Sequence, residues 1–295
     1  MRISRLLSLL ISVLLVVPVL ATAGATATSS AATVPTLVKI RAAHHPGFDR
    51  IVFVFDGGMP ATRQVRYVDQ LLGDGSGLPV RIAGRAILRV RFDQATAHDA
   101  DGQTVTARRA FPLPNVITAV RSGDFEAVTT YGIGLAKKTD FEVSTLRNPD
   151  RVVLDIRAAF PTVDRKVFFF DEDRYLANTE PFFVPRMRPV RKVAQATAVL
   201  DRLYAGPLPR ERADGLRLLR SRSTGFTNLD IDDMVARVQL TGRCSSGGST
   251  VTVAGEIMPT LRQFPRVDWV KIYDPAGTTE TPLGPSDSIP ECLEP

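Results

Sequence analysis

The sequence is poor in the residues that build metal centres and disulfide networks. Its 295 residues include two cysteines, three histidines and one tryptophan. Two cysteines are too few for a four-cysteine zinc site, and three histidines leave little room for a histidine-rich metal centre. The chain also has no H-E-x-x-H, no Walker loop and no G-x-S-x-G pattern. Because catalysis needs a constellation of groups, we predict a protein that is not an enzyme and holds no metal or cofactor.

The sequence also has no strong excess of positive or negative charge. The formal net charge is +6, the charged fraction 23% and the hydrophobic fraction 44%. This composition is ordinary for a globular protein and excludes wholesale disorder. A charge of this size, with no polybasic run, argues against nucleic acid as a partner and is compatible with an anionic cell wall. The 21 prolines and 21 glycines predict many turns, which favours β-rich domains over a helical bundle.

The first 23 residues have the pattern of a secretory signal peptide. Arg2 and Arg5 precede an almost wholly apolar run over residues 6–20, and the small residues of Ala21-Thr-Ala23 offer a cleavage site. The run has about 15 residues, whereas a membrane-spanning helix needs about 20. We therefore expect a secreted, extracytoplasmic protein with no transmembrane span after cleavage, and a retained anchor is the alternative. Residues 24–35 are predicted to be a flexible lead.

Residues 36–160 have the pattern of an all-β sandwich domain, because short alternating segments recur between turn clusters. The predicted strands cover 37–41, 51–55, 63–69, 79–82, 86–92, 116–122, 126–133, 140–146 and 152–157. The segments Phe48–Phe55 and Pro149–Ile156 both place Asp-Arg before β-branched residues. We interpret them as related strands of a symmetric sandwich or as ordinary strands that share a turn.

Residues 165–292 change to a mixed pattern that predicts a small α+β domain. A strand is expected at 166–170, and the clearest helix at 192–204 ends at Gly206-Pro207. A second helix is expected at 251–264, where Pro259 would kink the helix or mark its start. Further extended segments are predicted at 182–190, 227–240 and 267–273.

The two cysteines lie in this second part of the chain. Cys244 precedes the second predicted helix and Cys292 lies in the C-terminal tail. In an oxidising compartment they are expected to pair and to close a loop of about 50 residues. Two unpaired or intermolecular thiols are the alternative.

Two short sets of residues carry family resemblances. The second domain resembles the GerMN domain of sporulation and germination proteins in Leu203-Tyr-Ala-Gly-Pro207 and in the segment 260–267. The first resembles the AMIN-like domain of secreted actinobacterial proteins in Gly47-Phe-Asp-Arg50 and in Val65–Asp69. The resemblances imply a β-sandwich followed by a compact α+β module. They also imply association with the cell wall, peptidoglycan or an anionic wall polymer as ligand, and a possible envelope protein as partner.

Within this expectation, five residues are candidates for wall binding, because aromatic rings suit sugar faces and guanidinium groups suit muropeptide carboxylates. They are Arg66, Tyr67, Tyr131, Arg186 and Arg188. Arg66 and Tyr67 are neighbours on a predicted strand, so they must face opposite sides of it. Arg186 and Arg188 belong to a basic stretch that also fits a solvated sheet edge.

Two other functions stay open. The chain could be a cell-wall hydrolase with an atypical carboxylate site, built from residues 171–173 or 230–233, although both segments also fit solvated turns. It could equally be a soluble adaptor of a membrane regulator without wall affinity. His44 and His98 could contribute to a metal site with Asp49, or lie at solvated turns. Arg50 and Arg151 follow aspartates in matching turns, where structural ion pairs are the simpler interpretation.

Overall fold

The computed structural model describes residues 33–295, so the predicted signal peptide at 1–23 and most of the predicted lead at 24–35 lie outside the described residues. Within residues 33–295, no helix has the length and apolar character needed to cross a membrane.

The N-terminal part of the described chain is an antiparallel β-sandwich, as predicted. A four-stranded sheet with the order β1-β2-β11-β10 packs against a five-stranded sheet with the order β3-β4-β9-β8-β7, and β5 and β6 form a small hairpin. The strands are β1 (Thr36–His45), β2 (Phe48–Asp56), β3 (Thr62–Val68), β4 (Ala86–Asp93), β5 (His98–Asp99), β6 (Gly102–Gln103), β7 (Arg108–Ala110), β8 (Val116–Phe125), β9 (Val128–Leu135), β10 (Phe141–Leu146) and β11 (Asp150–Arg157).

The sandwich core follows from the alternation along each strand, because every second side chain points to the same face. Phe53 on β2 and Phe92 on β4 are both fully buried, and their ring centroids lie 5.1 Å apart in an edge-to-face arrangement. Such a contact adds about 0.5–1.5 kcal/mol to the stabilisation from burial alone. The two sheets are therefore held face to face by apolar residues from both.

The two Asp-Arg segments lie side by side in one sheet. Strands β2 and β11 pair antiparallel, with Arg50 opposite Asp155. The Arg50 guanidinium donates two hydrogen bonds to that carboxylate, at 2.7 and 2.6 Å, which raises the pKa of Arg50. Arg151 donates instead to the backbone carbonyl oxygen of Pro149, at 3.1 Å. Arg50 therefore forms the structural ion pair that the sequence suggested, and Arg151 does not.

One predicted strand is wrong. Residues 79–82 form no strand, and Pro79 makes only an isolated bridge with Leu72. The place beside β4 is not available to them, because β3 occupies it. The loop over residues 69–85 lies instead across the outer face of β9. It can approach because Gly134 has no side chain: a Cβ atom there would lie 2.0 Å from the carbonyl oxygen of Ala83.

The C-terminal part is an α+β domain, as predicted. Its sheets have the orders β13-β12-β14 and β15-β16-β17, and β16 and β17 run parallel with α4 as their crossover helix. Pro259 lies inside α4 and not at its start. The elements are β12 (Thr162–Asp171), α1 (Glu172–Leu176), β13 (Phe183–Arg191), α2 (Gln195–Ala205), α3 (Pro209–Ala213), β14 (Leu216–Arg217), β15 (Ser223–Asp232), β16 (Val235–Gly242), α4 (Ala254–Arg262) and β17 (Trp269–Tyr273).

Helix α4 protects one edge of strand β12. On this edge β14 pairs only with the last two residues of β12, which leaves the earlier amides without a strand partner. Glu256 and Thr260, one helical turn apart, and Gln263 just beyond the helix accept hydrogen bonds from alternate amides of the strand. The donors are the backbone N–H groups of Phe170, Phe168 and Lys166, at 3.2, 3.0 and 2.9 Å. The spacing of these three side chains matches that of the β12 amides, so the backbone donors have partners although no further strand pairs with this part of β12.

Glu256 is the buried member of this set. Its side chain is completely inaccessible, and its second carboxyl oxygen accepts a hydrogen bond from the backbone amide of Leu219 at 3.0 Å. Burial raises the pKa of the Glu256 carboxyl well above its usual range, although both amide hydrogen bonds oppose that shift. Both oxygens of Glu256 are thus used to connect backbone segments.

The structure joins Cys244 to Cys292 in a disulfide, with 5.7 Å between their Cα atoms. The backbone amide of Ser246 donates to the carbonyl oxygen of Cys292 at 2.6 Å, and the neighbouring Leu293 is buried in the core of the α+β domain. The bond therefore fixes the C-terminal tail against the segment that precedes α4.

Replacing both cysteines with serine is expected to lower the free energy of unfolding by about 3–4 kcal/mol, because the unfolded chain regains the freedom of the loop that spans the 48-residue separation. Urea denaturation of the two proteins measures this difference. Mass spectrometry of the exported protein should show the Cys244–Cys292 peptide. Two free thiols, or an unchanged unfolding midpoint in the variant, would contradict the prediction.

Candidate binding cleft at the domain junction

The two domains are joined by a buried arginine on α2. Arg202 is 2% exposed, and its guanidinium donates to the carbonyl oxygens of Phe111, Leu113 and Pro114 in the β-sandwich, at 3.1, 2.5 and 3.1 Å. Burial lowers the pKa of Arg202 to about 10, so the group keeps its charge at neutral pH. Because a guanidinium group carries five donors and no acceptor, one side chain can hold all three carbonyls of this segment.

The preceding residue of the same helix makes a second connection. Asp201 is 4% exposed and accepts two hydrogen bonds from Arg85 of the β-domain, at 2.8 and 2.7 Å. Burial raises the pKa of Asp201, and the Arg85 guanidinium opposes that shift. A paired fork of this kind fixes orientation as well as distance. Two adjacent residues of α2 therefore fix the helix against the sandwich at two points.

Beside the Asp201–Arg85 pair, the junction opens into a cleft of about 380 Å³. One wall is the loop over residues 69–85 of the sandwich, and the other is formed by the end of α2 and the start of β15. The side chains that matter for its chemistry are those of Arg81, Arg85, Asp201, Tyr204, Phe226 and Thr241.

Two stacked aromatic rings, each next to an arginine, form a column at the cleft. The Arg85 guanidinium carbon lies 4.9 Å from the ring centroid of Phe226, which stacks on Tyr204 at 5.8 Å and 27°. Arg220 lies 5.9 Å from the centre of the Tyr204 ring. Cations over aromatic faces attract the ring electrons. The column is therefore ordered before any ligand arrives.

The hydroxyl groups around the column are already engaged with each other. Tyr204 hydrogen-bonds to Ser223 at 3.0 Å, and burial raises the pKa of the Tyr204 phenol to about 12, so it stays neutral. The hydroxyl groups of Thr224 and Thr241 lie 3.0 Å apart at the cleft wall. An aromatic face beside arginine donors and hydroxyl groups can contact both the apolar and the polar sides of a sugar. Residues 33–295 contain no cluster of three acidic, histidine or cysteine residues suited to a metal ion.

Tyr131 is wrongly placed among the wall-binding candidates. It is fully buried in the sandwich core, where its ring centroid lies 5.9 Å from that of Phe53. It points inwards because it shares the buried face of β9 with Ile133 and Leu135. Burial raises the pKa of Tyr131 to about 12, and its hydroxyl has no hydrogen-bond partner in the described part of the chain.

Arg188 is also unavailable to a ligand. It is 3% exposed and donates to Glu211 of α3 through both terminal guanidinium nitrogens, Nη1 and Nη2, the first of them at 2.9 Å. Arg186 is half-buried and lies 4.0 Å from the same carboxylate. These two arginines connect β13 to α3, and they do not form a solvated basic edge.

Arg66 and Tyr67 face opposite sides of β3, as strand geometry requires. The Tyr67 hydroxyl donates to the carbonyl oxygen of Thr139 at 2.5 Å, and its ring packs on Phe141. Arg66 is exposed on the outer face of the sheet, opposite Arg89 of β4. Of the five candidates, only Arg66 is exposed, and none of the five lines the cleft.

The histidines of the possible metal site form separate pairs. His44 lies 2.7 Å from Asp49, whose other oxygen accepts hydrogen bonds from the backbone amides of residues 115 and 116. His98 lies 2.8 Å from Asp124. Asp49 therefore connects β2 to the start of β8, and the two histidines belong to different contacts.

The acidic segments of the possible hydrolase also have local roles. Asp171 is the N-cap of α1 and accepts a hydrogen bond from the backbone amide of Arg174 at 3.0 Å. Asp233 is exposed in the turn between β15 and β16, with a positive φ of 45°. Helix capping and a tight turn account for both residues.

Comparison with known families agrees with this architecture. Residues 35–158 match the family described as the AMIN-like domain, and residues 166–273 match Germane, described as sporulation and spore germination. No curated protein matches the chain. One similar solved structure is that of the tandem GerMN domains of the sporulation protein GerM from Bacillus subtilis, at 20% identity and a TM-score of 0.29. The match covers 43% of this chain and 44% of that chain, so the chain spans less than half the length of that structure.

The fold and the two family matches together define a two-domain protein of the envelope or sporulation type. The chain consists of an AMIN-like domain followed by a GerMN-type domain, and the cleft lies where the two meet.

Replacing Arg202 with alanine is expected to lower the free energy of unfolding by about 3–5 kcal/mol, because it leaves three carbonyl oxygens at the junction without their charged donor. Scanning calorimetry measures the loss and shows whether the two domains now unfold separately. Arg210→Ala, an exposed residue on α3, is the matched control and should leave the transition unchanged. A single transition at the wild-type temperature in Arg202→Ala would contradict the role of Arg202.

Proposed function

We propose that this protein is a secreted, non-enzymatic component of the cell envelope. It binds peptidoglycan or another wall polymer at the junction cleft, and its GerMN-type domain docks an envelope protein. The observation that carries the proposal is the column of Arg85, Phe226 and Tyr204 in an open cleft formed by both domains. The AMIN-like match and the disulfide Cys244–Cys292 support an extracytoplasmic location.

The geometry of the cleft favours a saccharide over a small apolar molecule. Phe226 is half-buried, so its ring contributes to the cleft surface while it stays stacked on Tyr204. Arg85 is held over that ring by its pair with Asp201, and 44% of its side chain remains exposed. A sugar placed against the exposed edge of the Phe226 ring would thus lie next to the guanidinium donors. The cleft is open, so a polymer can bind with a short part of its length in the cleft while both of its ends remain outside.

Replacing Phe226 with alanine removes the aromatic ring and leaves the charges of the cleft in place. We expect the fraction that sediments with purified cell-wall sacculi to fall several-fold, because loss of apolar contact with a phenylalanine side chain costs about 1 kcal/mol or more. The measurement uses the whole chain without its first 23 residues, since the domains share a buried interface.

Phe125→Ala is the matched control for this experiment. Phe125 is 73% exposed at the turn between β8 and β9, so the substitution also removes a phenylalanine but leaves the cleft intact. Thermal unfolding of both variants separates loss of binding from loss of folding. Wild-type protein that sediments no better than an unrelated control protein would refute wall binding. Equal sedimentation of the Phe226 variant and wild type would place binding outside the cleft.

The proposed docking surface lies around the short helix α1. Leu176 and Tyr175 are 77% and 39% exposed, and Phe182 packs edge-on against Tyr175 with 5.4 Å between ring centroids. Exposed apolar side chains that lie together favour contact with a protein. This surface belongs to the GerMN-type domain, so a partner can bind while the chain is held at the wall.

A photocrosslinking amino acid placed at Leu176 is expected to give a discrete adduct with one envelope protein in living cells, because this position is at the centre of the proposed surface. The same amino acid at Leu283, which is 82% exposed in a loop of the same domain, is the control and should give none. Adducts with many proteins, or identical adducts from both positions, would contradict docking at α1.

A further inference from the structure

We propose that Arg81, Arg108 and Arg220 form an anion-binding subsite at the cleft, so that its ligand is an anionic saccharide polymer and not a neutral glycan. This inference rests on the proposed function and names the charge of the polymer. Phosphodiester and carboxylate groups share the chemistry that a guanidinium group recognises, and the experiment below separates them.

The three arginines come from different parts of the chain; Arg81 lines the cleft, and Arg108 and Arg220 contact residues that line it. Arg81 lies on the loop that lines the cleft and is exposed. Arg108 of β7 donates to the backbone carbonyl oxygen of Arg81 at 2.6 Å. Arg220 donates to the carbonyl oxygen of Tyr204, the innermost ring of the column, at 2.8 Å. The guanidinium groups of Arg108 and Arg220 are therefore held in place by backbone carbonyl oxygens and not by carboxylate side chains.

The arginines of the subsite lack counter-ions within the described chain. No carboxylate of residues 33–295 lies within 4.0 Å of any of the three, whereas the neighbouring Arg85 is paired with Asp201. Glu256 is near enough to influence Arg220, but both of its oxygens accept hydrogen bonds from backbone amides. The three guanidinium groups therefore have no direct carboxylate partner, although Asp69 and the paired Asp201 also line the cleft.

Keeping these charges together carries a free-energy cost that a bound anion would remove. Burial and the charges of Arg220 and Arg81 lower the pKa of Arg108 to about 10, and burial with the charge of Arg81 lowers that of Arg220. Arginine side chains stay protonated in proteins, so the repulsion persists. Arg212 extends the positive surface, since it lies 3.5 Å from the carbonyl oxygen of Arg108. A negatively charged group bound at the cleft would be stabilised by all of these positive charges.

The arrangement of the cleft matches a repeating unit of one sugar and one anion. Phe226 offers an apolar ring edge for the sugar, and the arginines lie towards Tyr204 and the loop at residue 81. A volume of about 380 Å³ suits one sugar ring with its attached anionic group. An uncharged polymer would leave the three guanidinium groups without partners.

The test measures binding of three soluble probes to the chain without its first 23 residues by isothermal titration calorimetry. The probes are poly(glycerol phosphate), polyglucuronate and dextran. We expect one or both anionic probes to bind, with an affinity that falls as salt rises, and dextran to bind at least about tenfold more weakly. The anionic probe that binds more tightly identifies the phosphodiester or the carboxylate as the preferred group.

The variants are Arg81→Gln, Arg108→Gln and Arg220→Gln. Each is expected to weaken binding of the preferred anionic probe about tenfold, because each removes one charge-assisted contact. Arg108→Lys keeps the charge and should recover part of the loss. Arg41→Gln, at an exposed arginine on β1 away from the cleft, is the matched control and should bind like wild type. Because Arg81 is exposed, Arg81→Gln is expected to fold, so it tests the proposal even if Arg108→Gln and Arg220→Gln do not fold.

Dextran binding as tightly as the anionic probes, or arginine variants binding like wild type, would overturn the anionic subsite. A sedimentation experiment with sacculi that have been extracted with acid to remove anionic polymers distinguishes wall binding from the anionic subsite. Phe226-dependent sedimentation with extracted sacculi, insensitive to the arginine variants, would support wall binding and refute the subsite. Arginine-dependent binding of a soluble probe by a chain that sediments with no sacculi would support the subsite and refute wall binding.

Discussion

The fixed relation of the two domains depends on the contact of one buried guanidinium group with three carbonyl oxygens. Arg202 reaches from α2 into the segment over residues 111–114, where its charge is buried and every acceptor belongs to the other domain. A buried arginine in an apolar interface would be strongly destabilising without partners, so the contact requires both domains in one arrangement. Asp201 and Arg85 add a second paired contact beside it.

The cleft is a consequence of that arrangement. Tyr204 follows Arg202 by two residues on α2, so fixing the helix against the sandwich also fixes the ring on which Phe226 stacks. Arg85 contacts both Asp201 and Phe226, and therefore links the junction to the column. The same interface gathers arginines from β7, from the loop at residue 81 and from residue 220. Neither domain alone contains the complete set.

Much of the fold was predictable because local physics and tertiary structure agree in most elements. The alternation of Ile51, Phe53 and Phe55 predicts a strand with one buried face, and β2 has that face. The segment 79–82 has a similar local pattern but forms a loop, because β3 takes the neighbouring place on β4 and glycines on β9 admit the loop backbone. Strand β7 was not predicted, since three residues at a sheet edge carry too little periodicity to be recognised.

The sequence by itself determined the two domain types, since these depend on residue types and short patterns, whereas it left the pairing of its two cysteines open until the structure joined them. The tertiary structure alone decided the candidate site. Tyr131 and Arg188 both fit a wall-binding role in the sequence. The register of β9 places Tyr131 in the core, and Glu211 pairs with Arg188, so neither is available to a ligand. Asp201 and Arg202 look like ordinary solvated helix residues in the sequence. Their role depends on partners about 90 or more residues away, and no local pattern encodes such distant contacts.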